Sequence, residues 1–136
     1  MVAYFLVKSE PETYSFDALQ RDGQTVWDGV RNFTARGHLK EMKVGDQVLF
    51  YHSGEDKEVV GVAEVAKEAF PDASDETGRF VAVELKPVRP LKGAVTLAAM
   101  KAEPSLADLK MIRQGRLSVS PVTPGEWKAI LRMAKE

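Results

Sequence analysis

The chain has no cysteine and only two histidines among its 136 residues, and its acidic residues form no cluster. The first absence excludes disulfides and fits a reducing compartment. The shortage of imidazole and thiolate ligands argues against a zinc site, so no metal or other cofactor is expected. No run approaches the ~20 consecutive apolar residues of a membrane span. The opening stretch Met1–Lys8 lacks a basic start and an Ala-x-Ala exit, so it reads as a first strand rather than a signal peptide. A cytosolic address is expected. No phosphate loop, Gly-x-Gly-x-x-Gly, His-Glu-x-x-His or Gly-x-Ser-x-Gly occurs, which removes the commonest nucleotide-binding, zinc-peptidase and serine-hydrolase signatures. Repeats, low-complexity tracts and linkers are missing too. The length suits a single domain over 1–136, with a monomer as the default.

Charge of either sign is not in excess: the net charge is −1. Avid, sequence-blind binding to nucleic acid rests on phosphate neutralisation and is not expected from that balance. A local basic face remains open, because Arg31, Arg36, Lys40 and Lys43 fall in one stretch and Lys110, Arg113 and Arg116 in another. Ordinary solvated charge is the competing reading of both groups.

What is present is ordinary globular material, 44% hydrophobic and 29% charged. Tyr4–Lys8 predicts a buried strand that leaves through Ser9-Glu10-Pro11. Ser15 can cap a short helix from Phe16 to Arg21, ended by Asp22-Gly23. Asn32 can cap a helix from Phe33 to about Met42. Strands are predicted at Gln47–His52, at Val59–Val65 with Gly61 marking a bulge or a close approach, and at Phe80–Val88 with Pro87 at an edge or bulge. A loop is predicted to open at Phe70-Pro71-Asp72 and run to Gly78. Short helices follow at Leu97–Lys101 and Leu106–Leu109, then a last strand over Arg116–Val122. Thr123-Pro124-Gly125-Glu126 is a capping box that starts a helix with Trp127, Ile130, Leu131 and Ala134 on one face. Five or six strands with few parallel crossovers, short helices and one closing helix suggest a small mixed or antiparallel α+β barrel.

The chemistry concentrates in Trp27-Asp28-Gly29-Val30-Arg31-Asn32. Trp27 offers a flat π face, Asp28 accepts hydrogen bonds, Arg31 donates them and Asn32 does both. Gly29 permits a positive φ or a close backbone approach. Such a set can grip a flat polar ring such as a nucleobase. A buried Trp followed by a helix cap is the plainer reading. On the strand ending at His52, Phe50 shares a face with His52, and Tyr51 shares the other with Ser53, so either pair could reach a pocket. His52 and Ser53 themselves point apart, which disfavours a nucleophile–base pair. Lys8-Ser9-Glu10 could form a small hydrolytic centre, or simply end a strand with a backbone-bonded hydroxyl and two solvated charges.

Lys8-Ser9-Glu10-Pro11, Trp27–Phe33 with Ala35-Arg36, Met42–Asp46 running into Leu49–Ser53, Gly61–Val65, Pro71-Asp72 and Arg116–Val122 closely resemble the EVE domain family. The resemblance runs from about Tyr4 to Ala134. It implies a PUA-like fold: a compact pseudo-β-barrel of five to six mostly antiparallel strands, surrounding short helices and a C-terminal helix. It also implies kinship with PUA, ASCH and YTH domains, which recognise RNA or modified bases or, for some ASCH-like members, act as small hydrolases. The implied function is a non-catalytic module that reads a methylated or hydroxymethylated base of DNA or RNA, or a modified nucleoside. The alternatives are an ASCH-like hydrolase of modified nucleosides and a protein-interaction domain.

By analogy with YTH cages, Lys8-Ser9 and Trp27 match strand-end and cage-wall positions, and Phe70 is the nearest aromatic to a second cage position. Together with the residues read above, the candidate base pocket comprises Ser9, Trp27, Asp28, Asn32, Tyr51, His52, Ser53 and Phe70, with Ser9, Asn32 and Ser53 bonding the base or its sugar. Asp28 either orients Arg31 or accepts from an exocyclic amine. Lys8, Arg31, Arg36 and Arg116 are the implied phosphate contacts.

Overall fold

A computed structural model describes residues 2–136; Met1, where the first predicted stretch begins, lies outside them. Six strands form one sheet: β1 (Tyr4–Ser9), β2 (Thr25–Trp27), β3 (Gln47–His52), β4 (Glu58–Pro71), β5 (Val81–Thr96) and β6 (Val119–Val122). Their spatial order is β2-β5-β4-β3-β1-β6. Among the described residues only the β1–β3 pair is parallel; the other neighbours are antiparallel. The helices are α1 (Phe16–Asp22), α2 (Phe33–Glu41), α3 (Leu97–Ala102), α4 (Lys110–Arg113) and α5 (Pro124–Met133), with a 3-10 turn at Pro104–Leu106.

The two edge strands, β2 and β6, are not paired with each other. Helix α2 touches β4 and β5 on one side and β6 on the other, so it spans the gap. The sheet is therefore open in its hydrogen bonding and closed by a helix, which is the pseudo-barrel expected.

Period-two alternation divides the core. Phe5, Val7, Val48 and Phe50 point to the face covered by Phe16 and Leu19 of α1 and Ala35 and Leu39 of α2. Leu6, Leu49 and Tyr51 point to the other face, under Met100 of α3, Met111 of α4 and Trp127 and Ile130 of α5. Burying each such side chain contributes roughly 1.5–3 kcal/mol.

The helix starts follow the sequence closely. The side chains of Ser15, Asn32, Thr96 and Thr123 each accept a hydrogen bond from the backbone three residues on. Thr123 and Glu126 complete a capping box. Gly61 is both a bulge and a close approach. The β4 register shifts beside it, and a Cβ there would lie 2.5 Å from the Phe16 ring. Pro87 sits at a register shift between Val62 and Ala63 of its partner strand, beyond the stretch of β5 that β2 covers.

Several predicted boundaries differ. Strand β4 continues to Pro71 and β5 to Thr96, because successive bulges absorb residues that break the alternation. Phe70 is therefore a strand residue, paired with Ala82, and not the start of a loop. The predicted Leu106–Leu109 helix is not formed: the 3-10 turn ends at Leu106 and α4 begins only at Lys110, with a non-helical turn between them. The last strand begins at Val119 rather than Arg116.

Candidate functional site

Trp27 ends the short edge strand β2, where it pairs with Val83. Its ring meets Phe50 edge-on at 5.5 Å and Tyr14 at 6.5 Å. It is only half-buried, and it also walls a cavity of about 730 Å³. The core reading and the pocket reading of Trp27 thus describe different sides of one side chain. The end of strand β1, Lys8 and Ser9, and the segment Asp28–Asn32 line the same cavity.

A residue outside that segment holds it in shape. Asp72, whose side chain is fully buried, follows β4 directly. It accepts the Gly29 N–H at 2.9 Å and Arg31 Nη1 at 3.0 Å through one carboxylate oxygen. The other oxygen accepts the Ser74 N–H at 2.7 Å and the Ser74 hydroxyl at 2.6 Å. Burial alone would raise the Asp72 pKa. The bonds from Ser74, Gly29 and Arg31 outweigh it and hold the carboxyl well below the usual carboxylate range. Gly29 takes φ +79°, a left-handed conformation that lets its N–H turn toward Asp72. Arg31 also donates to the Ser74 hydroxyl at 3.0 Å and lies over the Phe80 ring at 5.3 Å. Its carboxylate partner is Asp72 and not Asp28. Asp28 remains exposed at the cavity rim, with no hydrogen bond among the described residues.

Of the implied pocket residues, the fold brings Ser9, Trp27, Asp28 and Asn32 to one cavity, together with Lys8 and Arg31. Asn32 Oδ1 is occupied as the α2 cap by the Ala35 N–H at 2.9 Å, which leaves its amino group free to donate. The Ser9 hydroxyl donates to the Tyr14 carbonyl, leaving its lone pairs to accept. Tyr51 and Ser53 do share a face, but it is the opposite one, and they line a second cavity. His52 Nε2 accepts the Phe16 N–H at 3.0 Å at the start of α1, a structural role. Phe70 lies on β4 beneath the Lys67 ammonium, 4.6 Å from its ring centre, and does not line the Trp27 cavity.

Among the cations, Arg36 donates to the Arg79 carbonyl at 2.9 Å and covers Phe33 at 4.8 Å. Arg116 lines a shallow groove that meets the Trp27 cavity at Asn32. The sequence reading missed Asp72 as the anchor and Glu10, Thr13, Tyr14 and Ser118 as wall residues. Pro71-Asp72 stood out as a matching block, which was the available signal for the anchor.

The hydrolytic arrangement at Lys8-Ser9-Glu10 is not assembled. Lys8 Nζ donates to the Gly115 carbonyl at 2.8 Å, Ser9 donates to Tyr14, and neither bonds the other. Partial burial lowers the Lys8 pKa. His52, committed to Phe16, is equally unable to serve Ser53 as a base. Among the described residues no group of three or more His, Asp or Glu side chains is placed to hold a metal ion, and no helix is long and apolar enough to cross a membrane.

Comparison with known proteins agrees with this architecture. A Rhodopseudomonas palustris protein solved by NMR is 50% identical and superposes with a TM-score of 0.93, over 98% of this chain and 94% of that one. Human thymocyte nuclear protein 1, solved in complex with 5-methylcytosine-containing DNA, is 28% identical with a TM-score of 0.92, over 98% of both chains. A YTH domain from Zygosaccharomyces rouxii, 21% identical, shares the fold at a TM-score of 0.61, over 99% of this chain and 88% of that one. The EVE domain model matches residues 3–133, and the chain belongs to the EVE domain family.

Proposed function

We propose that this chain is a non-catalytic module that reads a methylated or hydroxymethylated base of nucleic acid in the Trp27 cavity. The observation that carries the reading is the half-exposed Trp27 ring lining one cavity with unspent polar groups: the Asp28 carboxylate, the Asn32 amino group and the Ser9 lone pairs. The human relative's complex with 5-methylcytosine DNA supports the same ligand class for this chain.

A cytosine ring fits that inventory. Its exocyclic N4 amine donates and its ring nitrogen and O2 accept. Asp28 accepts from the amine, and the Asn32 amino group donates to an acceptor on the ring. Stacking on Trp27 contributes on the order of 1–3 kcal/mol. The cavity, about 730 Å³, lies in the roughly 300–1,000 Å³ range of small-molecule sites and leaves room for a substituent on the base. A base in a duplex must be flipped at a cost of a few kcal/mol, so single strands and weakened pairs are favoured. Arg31, fixed by Asp72, and Arg116, along the adjoining groove, face the backbone.

The test is fluorescence anisotropy with labelled single strands carrying cytosine, 5-methylcytosine or 5-hydroxymethylcytosine. Binding should favour a modified strand. Trp27→Ala should abolish it, and Trp27→Phe should retain part of it, while both variants still unfold cooperatively. Undiminished binding by a folded Trp27→Ala variant would overturn the proposal.

A further inference from the structure

The second cavity lies on the far side of Lys8 from Trp27 and holds about 270 Å³. Three lysines line it, Lys8, Lys57 and Lys101, and no carboxylate does. Its floor is apolar, with Leu97 and Met111. Tyr51 is only 3% exposed and lines the same cavity, yet no group among the described residues bonds its hydroxyl. Burial raises the Tyr51 pKa, so the hydroxyl keeps its proton and remains a donor. Lys8 Nζ stands 5.9 Å from the Tyr51 ring centre and spends one N–H on the Gly115 carbonyl, leaving two to donate. The Ser53 hydroxyl adds a further polar group.

A hydroxyl that opens into the cavity with no protein partner, set among three cations, suits an acceptor with negative charge. Lys8 borders both cavities, so a chain leaving the Trp27 site can cross the end of β1 and enter this one. We propose that the Lys8–Tyr51–Lys57–Lys101 cavity is a phosphate subsite that takes the phosphodiester flanking the base held at Trp27. The inference rests on the base-reading proposal for its biological ligand. It makes the preferred ligand a nucleotide within a strand rather than a free nucleoside.

Two substitutions remove the subsite without threatening the fold. Lys57 adopts φ +48°, where glycine is at ease, so Lys57→Gly removes a charge and relieves the backbone. Tyr51→Phe deletes a hydroxyl that makes no hydrogen bond among the described residues. The first arm titrates the protein with inorganic phosphate against chloride at matched ionic strength, followed by amide NMR shifts. Saturable shifts centred on Gly54, Lys57 and Gly115 are expected, weakened about 10-fold in Tyr51→Phe and in Lys57→Gly. Shifts absent from this cavity, or unaltered by both variants, overturn the subsite.

The second arm compares 5-methyldeoxycytidine with its 3′- and 5′-monophosphates and with trinucleotides carrying it at the centre. Tighter binding of a trinucleotide than of either monophosphate, lost in both variants, identifies the source as a strand phosphodiester. Preference for a monophosphate over the trinucleotide overturns the strand assignment and points to a free nucleotide. If phosphate titrates the cavity while no nucleoside or strand binds, the base-reading proposal fails and the anion site stands.

Discussion

Replacing Asp72 with asparagine should loosen the Trp27 cavity without altering any side chain that lines it. The carboxylate accepts from Gly29, Arg31 and Ser74 on both of its oxygens. Asparagine keeps one acceptor and turns an amino group toward one of the two pairs of donors. At least one hydrogen bond to a charged group, about 1.5–3 kcal/mol, is lost, and a donor is left facing a donor. Arg31 is partly open to water, which discounts its share. A net loss of about 2–3 kcal/mol corresponds to a fall in Tm on the order of 10 °C for a domain of this size. The pH dependence gives the sign. The folded pKa of Asp72 is depressed, so its contribution is complete above the unfolded carboxylate value of about 3.9 and fades as pH falls through the lower folded value. The stability gap between wild type and Asp72→Asn should be flat from neutral pH to about 5 and close below about 4. Asp75, held down to about 2 by the Thr77 hydroxyl and by backbone N–H groups, titrates in both proteins and cancels in the difference. Thermal unfolding across that range is the assay. A Tm change under about 2 °C, or a gap that persists unchanged to about pH 2, would refute the anchoring role.

Gly61→Ala should destabilise by about 1–3 kcal/mol, because the new methyl group meets the buried Phe16 ring at 2.5 Å; denaturant unfolding measures it, and a neutral result would mean that α1 shifts freely. Thr123→Ala should cost about 1 kcal/mol through loss of the α5 capping box, with base binding unchanged, as read from chemical unfolding and anisotropy together. Asn32→Ala should cost a similar amount at α2 and also weaken base binding, since the same side chain caps the helix and faces the cavity; equal binding by a folded variant would remove Asn32 from the site.

Local chemistry was legible in the sequence. Ser15, Asn32 and Thr123 act as caps because a cap depends only on the three residues that follow it. Gly61 and Pro87 marked irregular β pairing because their backbones restrict it. Strand parity correctly separated Tyr51 and Ser53 from Phe50 and His52. It could not say that Tyr51 and Ser53 line a second cavity while Phe50 and His52 line neither cavity and His52 is spent on the start of α1. The Asp72 anchor spans 43 residues to Gly29, a distance no local pattern encodes. Asp28, three residues before Arg31, was the nearer but incorrect carboxylate partner for it. Phe70 was misplaced because consecutive bulges carry β4 past the point where alternation fails.

The central claim is that the exposed side of Trp27 receives a modified base. Trp127 is buried against Tyr4 at a ring-centre distance of 4.4 Å, so Trp127→Phe preserves an aromatic stack and leaves Trp27 as the sole indole. Titrating that variant with single strands that differ only in cytosine, 5-methylcytosine or 5-hydroxymethylcytosine reports on the cavity directly. The account predicts saturable quenching by a modified strand and weaker or no quenching by the unmodified one. A flat response to all three strands, from a protein that still unfolds cooperatively, would contradict it.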